Sequence, residues 1–579
     1  MNPAPEVEMT RKRAARGRPE CAAQAATTAA LVTLALFLAV VPAGCSGPAA
    51  TSREPSGVRV TPAVSEDVRE QLLDGAVAVL DRLEDYDEES AFAQVFDRLN
   101  QWSHAAANAG VPLAANWKPD PLFNSLPERL RVGTSQGALE SAVFDAATDV
   151  AVLRDQRWLA DIASSARGDA VEDLDIAKNL FRWTVRSLAV VSDPPMVATE
   201  SSPGSRWFLP GEILLAGRAS PAQRAWIFLE LLRHARLEGV MLATGDPAKG
   251  GVRAWIPALV SGGEAWLFEP TYGLPVPGPD GTGVATARQA AADPAILERL
   301  SVGERSYPVK AADMAGLSVL VAADPWSLSR RMRAVDEQLV GSRGISLAVD
   351  AGAVATRALA ALPDGPPGPA DGGAGAAASG RRGLWEFPWE VLLRRRQDAG
   401  RLQAALAREL AVMSVSLAQA TGGDAVGGRR STRIVRPLYA ARLREFRGEL
   451  DGPEGAKAGY LAARPGRQAI NEAVKLLPPE QADRMRRLFE QMKEDATYWL
   501  GVLTLAEGEP STAVDYLGRM ILDAAPDSTW TDAARVNLAQ ALIALGRTDD
   551  AVACLEADAS PQRFGSRLLA RELKTGAAP

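Results

Sequence analysis

Acyl transfer needs a nucleophile and a group that takes its proton, and the side chains weighed for it here are the hydroxyl of Ser220, the fixed cation of Arg253 and the carboxylate of Glu269. A serine hydroxyl needs a partner that takes its proton near neutral pH. The chain holds two histidines, His104 and His234. His234 belongs near the far end of the helix that starts after Ser220, about 20 Å away at 1.5 Å rise per residue, in a place where a positive tendency is welcome. His104 lies in a separate N-terminal segment. Arginine stays charged and cannot accept a proton, and a carboxylate beside an arginine has its pKa lowered, which makes it a poor base. The residue types therefore argue against turnover. No cluster of metal-ligating residues, phosphate-cradling glycine loop or dinucleotide fingerprint is legible, so no metal and no cofactor is expected.

The elements that must position these residues lie between 217 and 277. From Pro221 to Leu237 the apolar positions Ala225, Ile227, Phe228, Leu231, Leu232 and Ala235 recur at steps of three and four, the buried face of a helix. Three short strands are predicted after it, at Gly239–Thr244, Val252–Val260 and Glu264–Glu269, separated by Gly250-Gly251 and Gly262-Gly263, which suit hairpin turns. The Ala177–Val185 stretch is an amphipathic helix preceding this unit, with Phe181 and Trp183 as core residues.

A helix delivering its N-terminus onto an antiparallel sheet resembles the transglutaminase-like (papain-type) core, whose pattern is a helix-start Cys, His-x-Trp on one strand and Asp-Pro-Thr on another. Arg253-Ala254-Trp255 falls on the His-x-Trp and Glu269-Pro270-Thr271 on the Asp-Pro-Thr, with the nucleophile position at Pro221. The resemblance implies a triad vacated at Pro221, Arg253 and Glu269, with no catalytic residue there. It also implies that Arg253 and Glu269 face each other from adjacent strands as an ion pair in place of the His–Asp bond.

The chain has 579 residues, 47% hydrophobic and 23% charged, which is ordinary for a globular protein of several domains. A net charge of −7 argues against nucleic-acid binding. Basic clusters at Arg394–Arg396 and Arg429–Arg436 read as solvated helix faces. The three cysteines, Cys21, Cys45 and Cys554, build no disulfide framework; Cys554 reads as a small buried hydrophobe. Residues 1–45 have the layout of a secretory signal: Arg11, Lys12, Arg13, Arg16 and Arg18, the apolar run Ala29–Val41, and Ala43-Gly44-Cys45. Val-Pro-Ala-Gly-Cys resembles a bacterial lipobox, which implies lipidation of Cys45, and Ser46-Gly47 after it implies the outer membrane in a host with two membranes. Cleavage after Ala43, giving a secreted or periplasmic protein, is the alternative, and Met9 is an alternative start.

Beyond Leu384 the pattern reads as helical throughout. Gly501, Gly508, Ala513 and Leu517 are echoed by Ala539, Gly546, Ala551 and Leu555, each 38 positions on (501 to 539). This resembles a tetratricopeptide pair, with Gly508 and Gly546 turning the chain between antiparallel helices and Gly501, Ala513, Ala539 and Ala551 allowing their close approach. Leu438–Ala463 is an earlier, degenerate copy, and so short an array is expected to pack on its neighbours.

The expected fold class is thus α+β and all-α multidomain. Its parts are a signal (1–45), a tether (46–60), an N-terminal helical region (61–133), a transglutaminase-like domain with a small antiparallel sheet (134–361), a Gly/Ala/Pro linker (362–383) and a helical tetratricopeptide-like array (384–579). This order is similar to that of bacterial lipoproteins. The function it implies is a non-catalytic scaffold, anchored to the membrane by lipid and binding an envelope protein or peptide. The alternative is an envelope hydrolase or amidotransferase that uses Glu269, Ser220 and Arg253.

Overall fold

The computed structural model describes residues 66–131, 133–192, 206–246, 251–339, 341, 344–363, 381–420 and 432–576. Cys45 and the signal lie outside them, as does most of the Gly/Ala/Pro linker. Residues 63–579 form one compact unit.

Helices Glu66–Leu80 and Glu88–Asn108 pack as an antiparallel hairpin. The second is capped by Asp87, whose side chain accepts from the Ser90 amide at 3.0 Å. Where the sequence suggests helices at Gly137–Arg154 and Arg157–Ser165, one helix runs from Asp149 to Ala166 after a short Gln136–Glu140 turn. The Asp145 carboxylate explains the difference. It accepts the amides of Ala147 (3.0 Å) and Thr148 (2.9 Å), a local turn that competes with helix and delays its start.

The sheet has six strands in the order β6-β5-β4-β3-β7-β8: β3 Glu238–Asp246, β4 Gly251–Ser261, β5 Glu264–Glu269, β6 Leu274–Pro275, β7 Ser318–Val321 and β8 Arg382–Leu384. β6 to β7 pair antiparallel and β8 joins β7 in parallel. The helix Pro221–His234 packs on one face, where Phe228 meets Phe268 at 4.9 Å and Phe181 at 5.2 Å between ring centres. The other face, built from Val240, Leu242, Ile256, Ala258 and Leu267, belongs to a second apolar cluster shared with Ala287, Ala290 and Ala355. Ile345–Asp350, whose sequence suggests one more strand, runs as irregular chain, and β7 joins the sheet beyond the three strands predicted after the central helix.

Outside this sheet, β1 (Ala189–Val190) pairs in parallel with β2 (Arg218–Ala219), and β9 (Leu417–Ala420) pairs antiparallel with β10 (Thr432–Val435). The chain beyond Leu384 is therefore not helical throughout: β9 and β10 precede its helical hairpins. Those are Pro437–Phe446 with Ala456–Ala462, then Pro479–Ala506 with Pro510–Val514 and its π-helical extension Asp515–Asp523, then Thr531–Ala544 with Thr548–Glu556 and Arg563–Thr575. One apolar cluster reaches from Leu73 through Phe228 to Ala570, so segments 61–133, 134–361 and 384–579 share a core.

Candidate functional site

The N-terminus of the Pro221–His234 helix is closed on itself. Ser220 is its N-cap, accepting from the Gln223 amide at 3.3 Å while the Gln223 side chain accepts the Ser220 amide at 2.9 Å. Pro221 occupies the first helical position, where no amide is needed. Ser220 is 1% exposed, so its hydroxyl is spent on the cap.

Arg253 and Glu269 do not pair. Arg253 lies opposite Thr244 and is exposed. The β4–β5 ladder runs from Ser261↔Glu264 to Ala258↔Leu267, and extended it sets Glu269 against Ile256, three residues and about 10 Å of strand from Arg253. A register shift between Leu242 and Ala243 leaves Trp255 as an extra residue in β4, so Arg253 shares a face with Ile256 but stays three residues short of Glu269. The Glu269 carboxylate instead accepts from the Tyr307 hydroxyl and from the Thr271 amide (2.9 Å), and Trp255 Nε1 donates to the Tyr307 oxygen at 2.9 Å. Burial raises the Glu269 pKa, opposed by these donors, and burial beside Glu269 pushes the Tyr307 hydroxyl well above the usual phenol range. Ser220, Arg253 and Glu269 thus do not converge on a reacting atom.

The histidines stand apart. His104 is exposed on the Glu88–Asn108 helix. The Ser346 amide donates to His234 Nδ1 (3.2 Å), so Nε2 carries the proton and donates to Gln156 Oε1 (2.8 Å). Burial, with Arg233 and Arg236 nearby, holds the His234 pKa well below its ordinary value. The expected positive tendency at this helix end is therefore replaced by a neutral imidazole.

Arg224, one turn into the helix, fills the space between the helix N-terminus and the Glu269-Pro270-Thr271 segment. It is 2% exposed, and each of its five N–H groups is engaged. They reach the carbonyls of Val185 (3.3 Å), Leu188 (Nε, 2.8 Å; Nη2 as well) and Pro270 (3.1 Å), and Gln562 Oε1 at 2.7 Å. Burial lowers its pKa to about 9, which leaves it charged at neutral pH, with the C-terminal carbonyls of the Asp173–Ser187 helix as its counter-dipole. Gln562 also closes over Gly273, where an added Cβ would lie 2.8 Å from its amide nitrogen. The signal for Arg224 was in the sequence: a charged residue spaced with Ile227, Phe228 and Leu231 on the apolar face. The basic residues Arg394 and Arg395, expected on solvated faces, are paired with Glu390 and Glu212.

Gln562 belongs to the C-terminal hairpins. Gly508 and Gly546 turn the chain with φ of 78° and 70°. Ala513, Ala539 and Ala551 are fully buried, and a Cβ on Gly501 would lie 2.6 Å from Leu517 Cγ. Residues 504–569 match the tetratricopeptide repeat family. Comparison with curated proteins and with solved structures found no match. The repeats hold a segment of their own chain. Gly217, at φ 63°, passes so close to Trp499 that a Cβ would lie 2.3 Å from the indole, and Arg218 stacks over Trp530 at 4.2 Å. Arg442 sits over Trp499 at 3.7 Å and donates to the Leu214 carbonyl at 3.0 Å. Asn537 Nδ2 donates to the Arg186 carbonyl (3.2 Å) and the Tyr498 oxygen (3.1 Å). Beside these contacts a cleft of about 260 Å³ remains between β1 and the Thr531–Ala544 helix, with Arg224 and Gln562 in its wall.

Proposed function

We propose that the protein is a non-catalytic scaffold of a bacterial cell envelope, in which a degenerate transglutaminase-like domain supports tetratricopeptide repeats that bind another polypeptide. The observation that carries this reading is Arg224 with Gln562: a substrate cleft beside Pro221 would need the volume that the guanidinium and its carbonyl partners take up. The repeat match at 504–569 supports the binding role, since stacked helical hairpins present extended surfaces to other chains. Anchorage through a lipid on Cys45, on the periplasmic face of the outer membrane, belongs to the same proposal and rests on Ala43-Gly44-Cys45 after an apolar run. Among the described residues no helix is long and apolar enough to cross a membrane.

Affinity capture from detergent-solubilised envelopes, with the full-length chain compared against Gly508→Val/Gly546→Val, tests the scaffold role. The expected result is a stable set of co-purifying proteins lost in the variant; a set unchanged in the variant would remove the repeats from the reading. Turnover of amide or ester substrates by the unaltered protein, abolished by Glu269→Gln, would replace scaffold with enzyme. Mass spectrometry should find a diacylglyceryl-modified Cys45, and an unmodified Gly44 N-terminus would remove the anchor.

A further inference from the structure

The parallel pairing of β1 with β2 uses one edge of β1. Ala189 donates to the Gly217 carbonyl at 2.8 Å and Val191 to the Ala219 carbonyl at 2.9 Å. In a parallel ladder the intervening residue points its amide and carbonyl the other way. That residue is Val190, and among the described residues neither its amide nor its carbonyl has a hydrogen-bond partner. It is 9% exposed, and its free edge borders the cleft against the Thr531–Ala544 helix. A main-chain donor and acceptor left without a protein partner on a cleft wall form a strand edge that a second main chain can pair with.

Another main chain is the complement of such an edge, since an extended segment offers an amide and a carbonyl at two-residue spacing. The cleft is smaller than the roughly 300–1,000 Å³ of sites that enclose drug-sized molecules. Its far wall is apolar at Ala533 and Val536, suited to alternate side chains of a strand. The charges in the wall are largely spent: Arg218 is held by Glu409 (3.0 Å) and Thr529 (2.6 Å), and Arg224 by the carbonyls and Gln562 already described. Asp532 has no ion pair among the described residues. We propose that the free edge of β1 docks an extended peptide of another protein, which adds to β1 as a third strand, packs on Ala533 and Val536, and sets a cationic side chain beside Asp532. This rests on the scaffold reading and names where and how a partner is held.

The test uses the full chain and a phage-displayed library of linear heptapeptides, with the best binder resynthesised carrying fluorescein and followed by anisotropy. The expected result is selection of extended, Lys- or Arg-bearing sequences. N-methylation of alternate peptide amides should abolish binding at one parity and spare it at the other, the signature of strand pairing. Val536→Arg and Ala533→Arg, each checked for an unchanged melting profile, should weaken the peptide about tenfold or more, equivalent to about 1.4 kcal/mol. Asp532→Asn should weaken it less and reduce its salt dependence. Failure to select any binder, N-methyl sensitivity without parity, or binding unchanged by both arginine variants would overturn the proposal. So would binding that rises on deletion of 194–204, which would assign the edge to this chain's own segment. Partners still captured from envelopes by Val536→Arg would overturn this site while leaving the scaffold role standing.

Discussion

Arg224 Nη1 donates to Gln562 Oε1 at 2.7 Å across 338 positions of sequence, and the same nitrogen donates to the Pro270 carbonyl at 3.1 Å. One guanidinium thus ties the start of a central helix, the exit of β5 and the repeats into a single junction.

Arg224→Met keeps the apolar stem and removes every donor, leaving the carbonyls of Val185, Leu188 and Pro270 buried without partners. Each unmet buried acceptor costs about 1–3 kcal/mol, offset in part by losing a buried charge. The expected net loss is about 2–4 kcal/mol, read from urea unfolding of the mature chain. Gln562→Ala should cost less, because it removes one bond of five. Equal stability of Arg224→Met and the parent would show that the junction is incidental.

The repeat turns separate backbone strain from steric fit. A Cβ on Gly508 or Gly546 would meet nothing within 4 Å, so substitution there acts through positive φ alone. Gly508→Val and Gly546→Val should each lose about 1–3 kcal/mol, whereas Gly508→Asn should lose less, because Asn tolerates this region. Gly501→Ala tests the other mechanism, since its Cβ would press on Leu517. The comparison belongs in the intact chain: Gly217, Leu214 and Arg186 of the preceding segment contact Trp499, Arg442 and Asn537, so an isolated 384–579 fragment would lose these contacts. Thermal melts ranking Asn with Val at 508 would contradict the backbone account.

Much of this layout was legible, and what was not has identifiable causes. The helix at Pro221 announces itself through Ser-Pro-x-Gln, a capping box with Pro at the first position, and through its apolar period. β4 and β5 are bounded by Gly262-Gly263, which adopt φ of 62° and 77°. The Arg253–Glu269 pair fails on register: the Gly262-Gly263 turn pairs Ser261 with Glu264 and Ala258 with Leu267, which extends to Ile256 opposite Glu269, and the extra residue at Trp255 brings Arg253 back to that face without closing the three-residue offset. β7 and β8 are only four and three residues long and meet across an intervening linker, so no local pattern marks them. Arg224 carries the opposite lesson. Its charge on an apolar face was visible, but its partners come from three distant segments.

Two buried groups give opposing pH dependences. His234 is held neutral, so below its unfolded pKa of about 6.5 only the unfolded chain gains the proton, and stability falls as pH drops, by up to about 1.4 kcal/mol per pH unit. Asp495 behaves in reverse. Burial raises its pKa to about 6, opposed by Arg218 and by the Trp530 Nε1 donor at 2.7 Å. Between about pH 4 and 6 the folded state keeps a proton the unfolded chain has lost, so stability falls as pH rises through that window. Asp495→Asn should therefore match the parent near pH 4 and exceed it at pH 7 by on the order of 1–3 kcal/mol. Chemical denaturation at both pH values checks this, and a variant less stable at pH 7 would show that the carboxylate is a net asset.

The last prediction concerns the carboxylate at the end of β5. Glu269 accepts from Tyr307, and Tyr307 accepts from Trp255, whereas Arg253 stands exposed on β4. Arg253→Ala should change stability by no more than about 0.5 kcal/mol, as for a surface residue. Tyr307→Phe should be costly, because it leaves the Glu269 carboxylate and the Trp255 indole N–H without their shared partner. A double-mutant cycle of Tyr307→Phe with Glu269→Gln should show coupling of about 0.5–3 kcal/mol, and the cycle of Arg253→Ala with Glu269→Gln should show none. The reverse pattern would restore the ion pair that the His-x-Trp and Asp-Pro-Thr spacing implied. Restoring the triad as Pro221→Cys, Arg253→His and Glu269→Asp should yield no thiol reactivity beyond that of an ordinary half-buried cysteine. Arg224 and Gln562 still occupy the approach, and residue 253 lies three residues along β4 from the position opposite residue 269. Thiol alkylation rates across pH 5–9 distinguish the outcomes: a restored Cys–His pair would be a thiolate well below the usual pKa of about 8.5, and its appearance would mean that the cleft survives.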